Sequence, residues 1–444
     1  MAHDLAHEDL DRAEDHLALD AARSGAPRAS RWLRVGWLLA GPGILVFLGE
    51  NDAPSMLSYA ATGAHYGIGF FLPFILVTFL VGFVVQEMAA RVGVASGAGH
   101  AELIFSRFGA FWGRFALADL LIGNLLTLVT EFIGIRAGLG FFGVPPVVAV
   151  GGSVLLVALM ASTSRYKLWE RLALGLALLN AVFVPVALMT HPDWNAIGQA
   201  FLTWAPLHGG LTPNAVTLMV SNIGATVTPW MLFFQQGAIV DKGLRPRDLR
   251  GTRLDTLLGA LLAGLFGIAG VVATVPLFAH GISAAHFEGA QFAEALQPYV
   301  GRWGASLFAL GIFEAGLVAA VTISTSSAYA FGEVLRRAHS LNSPIREGSH
   351  FYAVLLGSTM LAAGAVLIPG VPLEAVVIIV NVVATLAMPP ALLFLLLLVN
   401  DAEVMGPYRN SLGWNIAGIA VTALLVATGL AYGVTVLFPG LLGG

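Results

Sequence analysis

Two long apolar runs in this chain are interrupted by proline and polar residues where a membrane helix would be driest. The first, GPGILVFLGENDAPSMLSYAATG, places Glu50, Asn51 and Asp52 just ahead of Pro54 and Ser55. The second, NIGATVTPWMLFFQQGAIV, places Thr228 ahead of Pro229 and Trp230. Proline there leaves backbone groups unpaired, and a carboxylate is poorly solvated. Such stretches are tolerated only where they line a polar cavity. The chemistry on offer is cation binding through hard oxygens. Asp52 provides an anionic oxygen beside carbonyls at a helix C-terminus, where partial negative charge collects. The carbonyls of Gly49 and Ala225 fall at the two breaks, and Ser55 and Thr228 add hydroxyl oxygens. Two broken helices, one opening each half of the chain, point to a transporter whose site lies between the breaks.

The elements that hold these residues must be membrane helices. Of 444 residues, 57% are hydrophobic and 11% charged, whereas a soluble globular chain carries roughly 25% charged residues. Mean hydropathy is +0.82. The apolar runs reach about 20 residues or more, enough to span a bilayer as helix; barrel strands would be shorter and would alternate. The 52 glycines suit close helix packing in lipid. The chain has no cysteine, which excludes disulfides and thiolate metal sites. Residues 1–33 are polar and charged and lack the order of a signal peptide. They are expected to form a largely disordered cytoplasmic tail; the alternative is a metal-sensing role for its acids and His3, His7 and His16.

Eleven spans are expected, over 34–66 (broken), 67–92, 111–141, 145–163, 168–190, 211–241 (broken), 252–279, 303–335, 350–369, 372–399 and 412–438. The basic residues orient them. With a cytoplasmic N-terminus, the inside connections hold Arg91, Arg107 and Arg114, then Arg165, Lys167 and Arg171. Lys242, Arg245, Arg247, Arg250 and Arg253 follow, then Arg336, Arg337 and Arg346, and finally Arg409. Outside connections hold little beyond Arg302, which obeys the positive-inside rule. The C-terminus is then outside. Residues 34–190 and 211–399 form two repeats of opposite topology, each opening with a broken helix, and 412–438 is an added helix. The expected fold class is an all-α membrane protein with the 5+5 inverted repeat of the amino-acid/polyamine/cation superfamily. Residues 280–302, with His280, Glu288 and Glu294, are expected to form an outer lid or surface helix.

Four segments carry a family resemblance. GPGILVFLGENDAPSMLSYAATGAHYG resembles the first helix of the Nramp divalent-metal transporters, and QEMAARVGVASGAGHAELI their second span and following loop. GATVTPWMLFFQQGAIV resembles their sixth helix and NDAEVMG their turn after span 10, so the likeness covers roughly 35–410. The departures are informative. Where the family has Asp-Pro-Gly-Asn, this chain has Asp52, Ala53, Pro54 and Ser55. Where it has Met-Pro-His, this chain has Thr228, Pro229 and Trp230. The span 3 glutamate is Glu131, the aspartate three residues earlier is Leu128, and the span 10 glutamine corresponds to Asn381. These changes resemble the Nramp-related magnesium transporter branch. The resemblance implies a metal set of Asp52, Ser55, Gly49, Ala225, Thr228 and Asn381. Loss of a thioether at Thr228 removes a preference for softer metals, and small side chains leave room for an ion such as Mg²⁺ that keeps several waters.

Single residues carry competing readings. Asp52 can cap the second half of helix 1, which does not exclude ion binding. Thr228 either serves the ion or its water, or satisfies a backbone carbonyl before Pro229. Glu50 either joins the site or pairs within the break. Glu131 either stands behind the site or pairs with Arg136, five residues on and on another helix face. Trp230 is expected to pack where the family has a titratable group. Asp119, Asp255 and Glu314 are acids within spans, suspected of function on that ground alone.

Proton coupling needs groups that titrate along a path, and Trp230 and Leu128 cannot carry a proton. Nor is coupling required: a divalent cation moving inward gains about 2.3 kcal/mol per charge per 100 mV, hence about 4–5 kcal/mol and close to a thousandfold accumulation. The expected function is uptake of Mg²⁺, and of Mn²⁺, by alternating access in the cell membrane without proton coupling. The chain is then no enzyme and needs no cofactor; the ion is cargo. Its partners are the ion and the bilayer, with no nucleic acid and no obligate protein. One alternative is a proton-coupled Mn²⁺/Fe²⁺ importer using Glu50 and Glu131. Another is an organic-substrate carrier, against which Asp52 and Glu50 count, since a carboxylate substrate prefers helix N-termini without a central anion. A membrane sensor lacks a signalling domain here, and no P-loop supports ATP-driven pumping.

Overall fold

Proline sets where the half-helices begin. The first broken span divides into α1 (Pro42–Glu50) and α2 (Ala53–Tyr66). Pro54 sits in the first turn of α2, where its missing N–H removes no helical bond. The rest of the chain follows as α3 (Phe71–Ser96), α4 (His100–Phe108), α5 (Ala110–Gly140), α6 (Pro146–Ala161), α7 (Tyr166–Ala177), α8 (Phe183–Met189) and α9 (Trp194–Thr203). The second broken span divides into α10 (Pro213–Gly224) and α11 (Pro229–Lys242). Then come α12 (Leu249–Ala279), α13 (Gly289–Leu335), α14 (Ser349–Val366), α15 (Leu373–Asn400), α16 (Ala402–Met405) and α17 (Leu412–Leu437).

This computed structural model describes residue 41 onward, except 208, 209, 211, 283, 285, 286, 288, 371, 372 and 438–444. The side chains of 213, 373–379, 381–386 and 431–437 are also outside the described residues. The tail expected over 1–33, Glu288 and the Asn381 side chain therefore lie outside them.

No strand occurs among the described residues. Over the described residues, each expected span overlaps a helix or consecutive helical segments. Among the described residues, eight helices are long and apolar enough to cross a membrane, or nine counting the bent pair Ala387–Asn400 and Ala402–Tyr408. By that measure the expected eleven is not reached. The 16-residue α6 is too short to count, and α1 and α2 are short halves of one run. Helices α4 and α9 occupy stretches expected to be connections. The start of α9 is set by Asp193, whose side chain accepts from the Asn195 and Ala196 N–H groups at 2.9 and 3.2 Å. Gly301, at φ 67°, bends α13 and separates a surface segment from the span, close to the boundary expected at 302.

Basic residues assigned to inside connections bridge helix ends. Arg91, 2% exposed, bonds Glu87 at 2.9 Å, and Glu87 also accepts from Arg253 at 2.7 Å. Lys242 meets Glu170 at 3.0 Å, and Arg107 meets Asp401 at 2.7 Å. The scaffold behind the breaks is a close pairing of α5 with α13. A Cβ on Gly138 would lie 2.7 Å from the Ala309 carbonyl oxygen, so only glycine permits the approach.

Candidate functional site

The first break consists of Asn51 and Asp52, and every residue of α1 before it is buried. Asp52 caps α2: its Oδ1 accepts from the Ser55 N–H at 2.8 Å. The capping reading therefore holds, and Asp52 also lines a cavity, so the two roles coexist. Asn51 reaches away and donates to the Ala263 carbonyl of α12 at 2.9 Å. Glu131 Oε2 accepts from the Ala53 N–H at 3.2 Å. That N–H would otherwise continue the helix onto the Gly49 carbonyl. Glu131 thus helps hold the break open and frees the carbonyl expected to serve a cation. It lies beside Asp52. Arg136 is not its partner and donates to the Val366 carbonyl at 3.4 Å.

The second break runs from Ala225 to Thr228. Pro229 has no N–H to offer the carbonyl four residues back, that of Ala225. The Tyr59 hydroxyl takes that place, donating to the Ala225 oxygen at 3.1 Å. A carbonyl has a second lone pair, so Ala225 keeps capacity for a cation. Thr228 donates its hydroxyl proton to Glu50 Oε2 at 2.7 Å. Of the two readings for Glu50, pairing within the break is the geometry seen. Trp230, 1% exposed, packs edge-on to Phe234 and against Gly49. It fills the space beneath the break, with its indole beside the Glu50 carboxyl.

Between the breaks lies a cavity of about 170 Å³. Asp52, Ser55, Ala225 and Thr228 line it; Glu50, Glu131 and Trp230 stand behind its wall. Gly49 is also outside the lining, and Asn381 belongs to a helix, α15, that contributes Val380 and Met388 to it. Sequence reasoning missed the hydroxyls of Thr127 and Thr130 on α5 and of Ser221 on α10, which also line the cavity. Their signal was helical spacing: Thr127 lies four residues before Glu131, on the same helix face. The half-helices α2 and α10 border the cavity together and are joined by a polar seam. Ser58 donates to Ser221 at 2.9 Å, Asn222 to Thr62 at 2.9 Å, and Tyr66 meets Thr212 at 3.1 Å.

The suspected acids divide. Asp255 on α12 accepts from the Gly43 and Ile44 N–H groups at 2.7 and 3.2 Å, capping α1 from 212 residues away. Glu314 pairs with Asn180 at 3.3 Å, away from the cavity. Asp119 borders a recess of about 10 Å³ shared with Thr127 and Thr228. Among the described residues no three His, Asp or Glu groups converge on one metal position. Among the described residues that line the cavity, Asp52 is the charged one, accompanied by neutral oxygens.

The chain is 24% identical to the divalent metal cation transporter MntH of Granulibacter bethesdensis, over 96% of this chain and 95% of that protein. The fold matches the manganese transporter of Eremococcus coleocola with a TM-score of 0.70, at 20% identity over 94% of this chain and 90% of that one. A Na⁺-coupled sialic acid symporter shares it more distantly, with a TM-score of 0.57 at 14% identity over 91% and 90% of the two chains. The sequence profile of the family described as Nramp, natural resistance-associated macrophage protein-like, matches residues 43–435. That match takes in both broken helices and the cavity between them, and the chain belongs to the Nramp family: a membrane transporter and not an enzyme, with metal ions as cargo and no cofactor.

Proposed function

We propose that this chain is a divalent-cation transporter that takes up Mg²⁺, and Mn²⁺ with it, by alternating access and without proton coupling. One observation carries the reading. Among the described residues, the cavity between the breaks is lined by one carboxylate, Asp52, together with hydroxyls that include those of Ser55, Thr127, Thr130, Ser221 and Thr228. Hard oxygens with one charge suit a strongly hydrated ion, which sheds only part of its water. In this reading Asp52, Ser55, Thr228 and the Ala225 carbonyl form the cargo site, and the Gly49 carbonyl and Asn381 are its further expected ligands. The repeats are 34–190 and 211–399, with 412–438 added, giving eleven spans in the cell membrane. The basic residues favour an N-terminus in the cytoplasm and a C-terminus outside. The cavity between α2 and α10 then belongs to the outer half.

A second reading has its own support. Met388 also lines the cavity, and a thioether favours softer ions such as Mn²⁺ or Fe²⁺. Glu131 lies wholly buried beside Asp52, where one proton could be exchanged for the metal. The test is uptake of Mg²⁺, Mn²⁺ and Ca²⁺ into liposomes at clamped voltage with internal pH recorded. Mg²⁺ entry that follows voltage and leaves internal pH unchanged supports the uncoupled reading. Acidification that scales with metal entry and disappears in Glu131→Gln establishes the proton-coupled one.

A further inference from the structure

Across the two breaks, 178 residues apart in sequence, the Thr228 hydroxyl donates to Glu50 Oε2 at 2.7 Å. Thr228 holds the N-cap position of α11, yet its side chain caps no helix N–H. Glu50 is wholly buried behind the cavity wall, whereas Thr228 is part of that wall. A hydroxyl has one proton and two lone pairs. With the proton committed to Glu50, the oxygen can offer the cavity only acceptor capacity. Asp52, the charged group on the wall, has acceptor oxygens of its own. A cation that keeps its waters presents O–H donors outward, and a surface of acceptors matches it; a stripped ion needs direct ligands instead.

We propose that Glu50 is a positioning residue for cargo selectivity: it holds the Thr228 proton so that the Thr228 oxygen accepts from a water carried by a hydrated divalent cation. The inference rests on the cargo reading above and assigns the group that prepares the site. Either an ionised carboxylate or the carbonyl oxygen of a neutral carboxyl accepts that proton, so the role does not depend on the charge of Glu50.

The test is uptake of Mg²⁺ and Mn²⁺ by the full chain in liposomes. The variants are Glu50→Met, Glu50→Gln, Thr228→Val and the pair Glu50→Met/Thr228→Val. Glu50→Met removes the acceptor at similar length, and Glu50→Gln keeps one acceptor oxygen. The expected result is a Mg²⁺ KM raised about tenfold in Glu50→Met, the scale of one hydrogen bond to a charged group, with a smaller change for Mn²⁺. Glu50→Gln should recover much of that loss. Thr228→Val should resemble Glu50→Met, and the pair should be no worse than either. Equal losses in the Met and Gln variants, or losses that multiply in the pair, overturn the positioning role. Thr228→Val preserves side-chain shape and reads the same bond if Glu50→Met does not fold; an unaltered Mg²⁺ KM there also overturns it. Unaltered selectivity in Glu50→Met, in a protein whose wild type carries Mg²⁺, defeats this inference alone. A wild type that carries no Mg²⁺ defeats the cargo reading together with it.

Discussion

The two helix breaks are counterparts built to different specifications. The first is short, and its residues Asn51 and Asp52, with Glu50 at the end of α1, are at most 4% exposed. Each is tied to a neighbour: Glu50 to Thr228, Asn51 to Ala263 and Asp52 to the Ser55 N–H. The second, Ala225 to Thr228, carries hydroxyls and no charge, and three of its four residues line the cavity. Charge resides at the first break and room at the second. The reason is solvation. A carboxylate in a dry interior needs partners on every side, which shortens the break that holds it. A hydroxyl needs only one or two, so its break can open wider. The half-helices differ in the same way. All of α1 is buried and capped by Asp255, while α10 has part-exposed residues along the cavity.

The sharpest test of this division is Asp52→Ala. If the working charge belongs to the first break, Mg²⁺ and Mn²⁺ uptake should fall at least about a hundredfold, the scale of roughly 3 kcal/mol for a lost buried charge interaction. A monodisperse variant transporting at the wild-type rate would erase the distinction.

Next in size is Asp255→Ala, which leaves the Gly43 and Ile44 N–H groups of α1 without their cap. The contact should weaken by about 1–3 kcal/mol. The chain has no cysteine, so Ile44→Cys can report on α1 through thiol labelling. Labelling should quicken several-fold when Asp255→Ala is added; an unchanged rate would mean that α1 is held by packing alone.

A selectivity change is expected from Thr228→Met. A thioether placed in the uncharged break should move competition uptake several-fold toward Mn²⁺ or Cd²⁺ and away from Mg²⁺. An unchanged or stronger Mg²⁺ preference would count against Thr228 as a contact of the ion or its water. The smallest effect belongs to the seam. Ser58→Ala removes bonds to Ser221 and Asn222, should cost about 1 kcal/mol, and should register as a small drop in Tm with uptake little affected. A large loss of uptake would show that the seam between α2 and α10 transmits the transport motion.

The amino-acid sequence alone determined the membrane class, the long apolar helices and both breaks, because these follow from local quantities: run length, apolarity, and proline or carboxylate inside an apolar run; the shorter helices α4 and α9 escaped it. It also put Asp52 and Thr228 at the two breaks, and both residues line the one cavity. What only tertiary structure decided is who partners whom. Asp255 was one more acid within a span until α12 was seen to cap α1, 211 and 212 residues away. Glu131 had two candidate roles, and packing of α5 against the first break gave it the Ala53 N–H while Arg136 went to Val366. Thr127, Thr130 and Ser221 looked like ordinary helix hydroxyls until α5 and α10 came together around the cavity. Helix formation is governed by neighbours within a few residues, whereas the partner of a buried polar group depends on which distant helix packs against it.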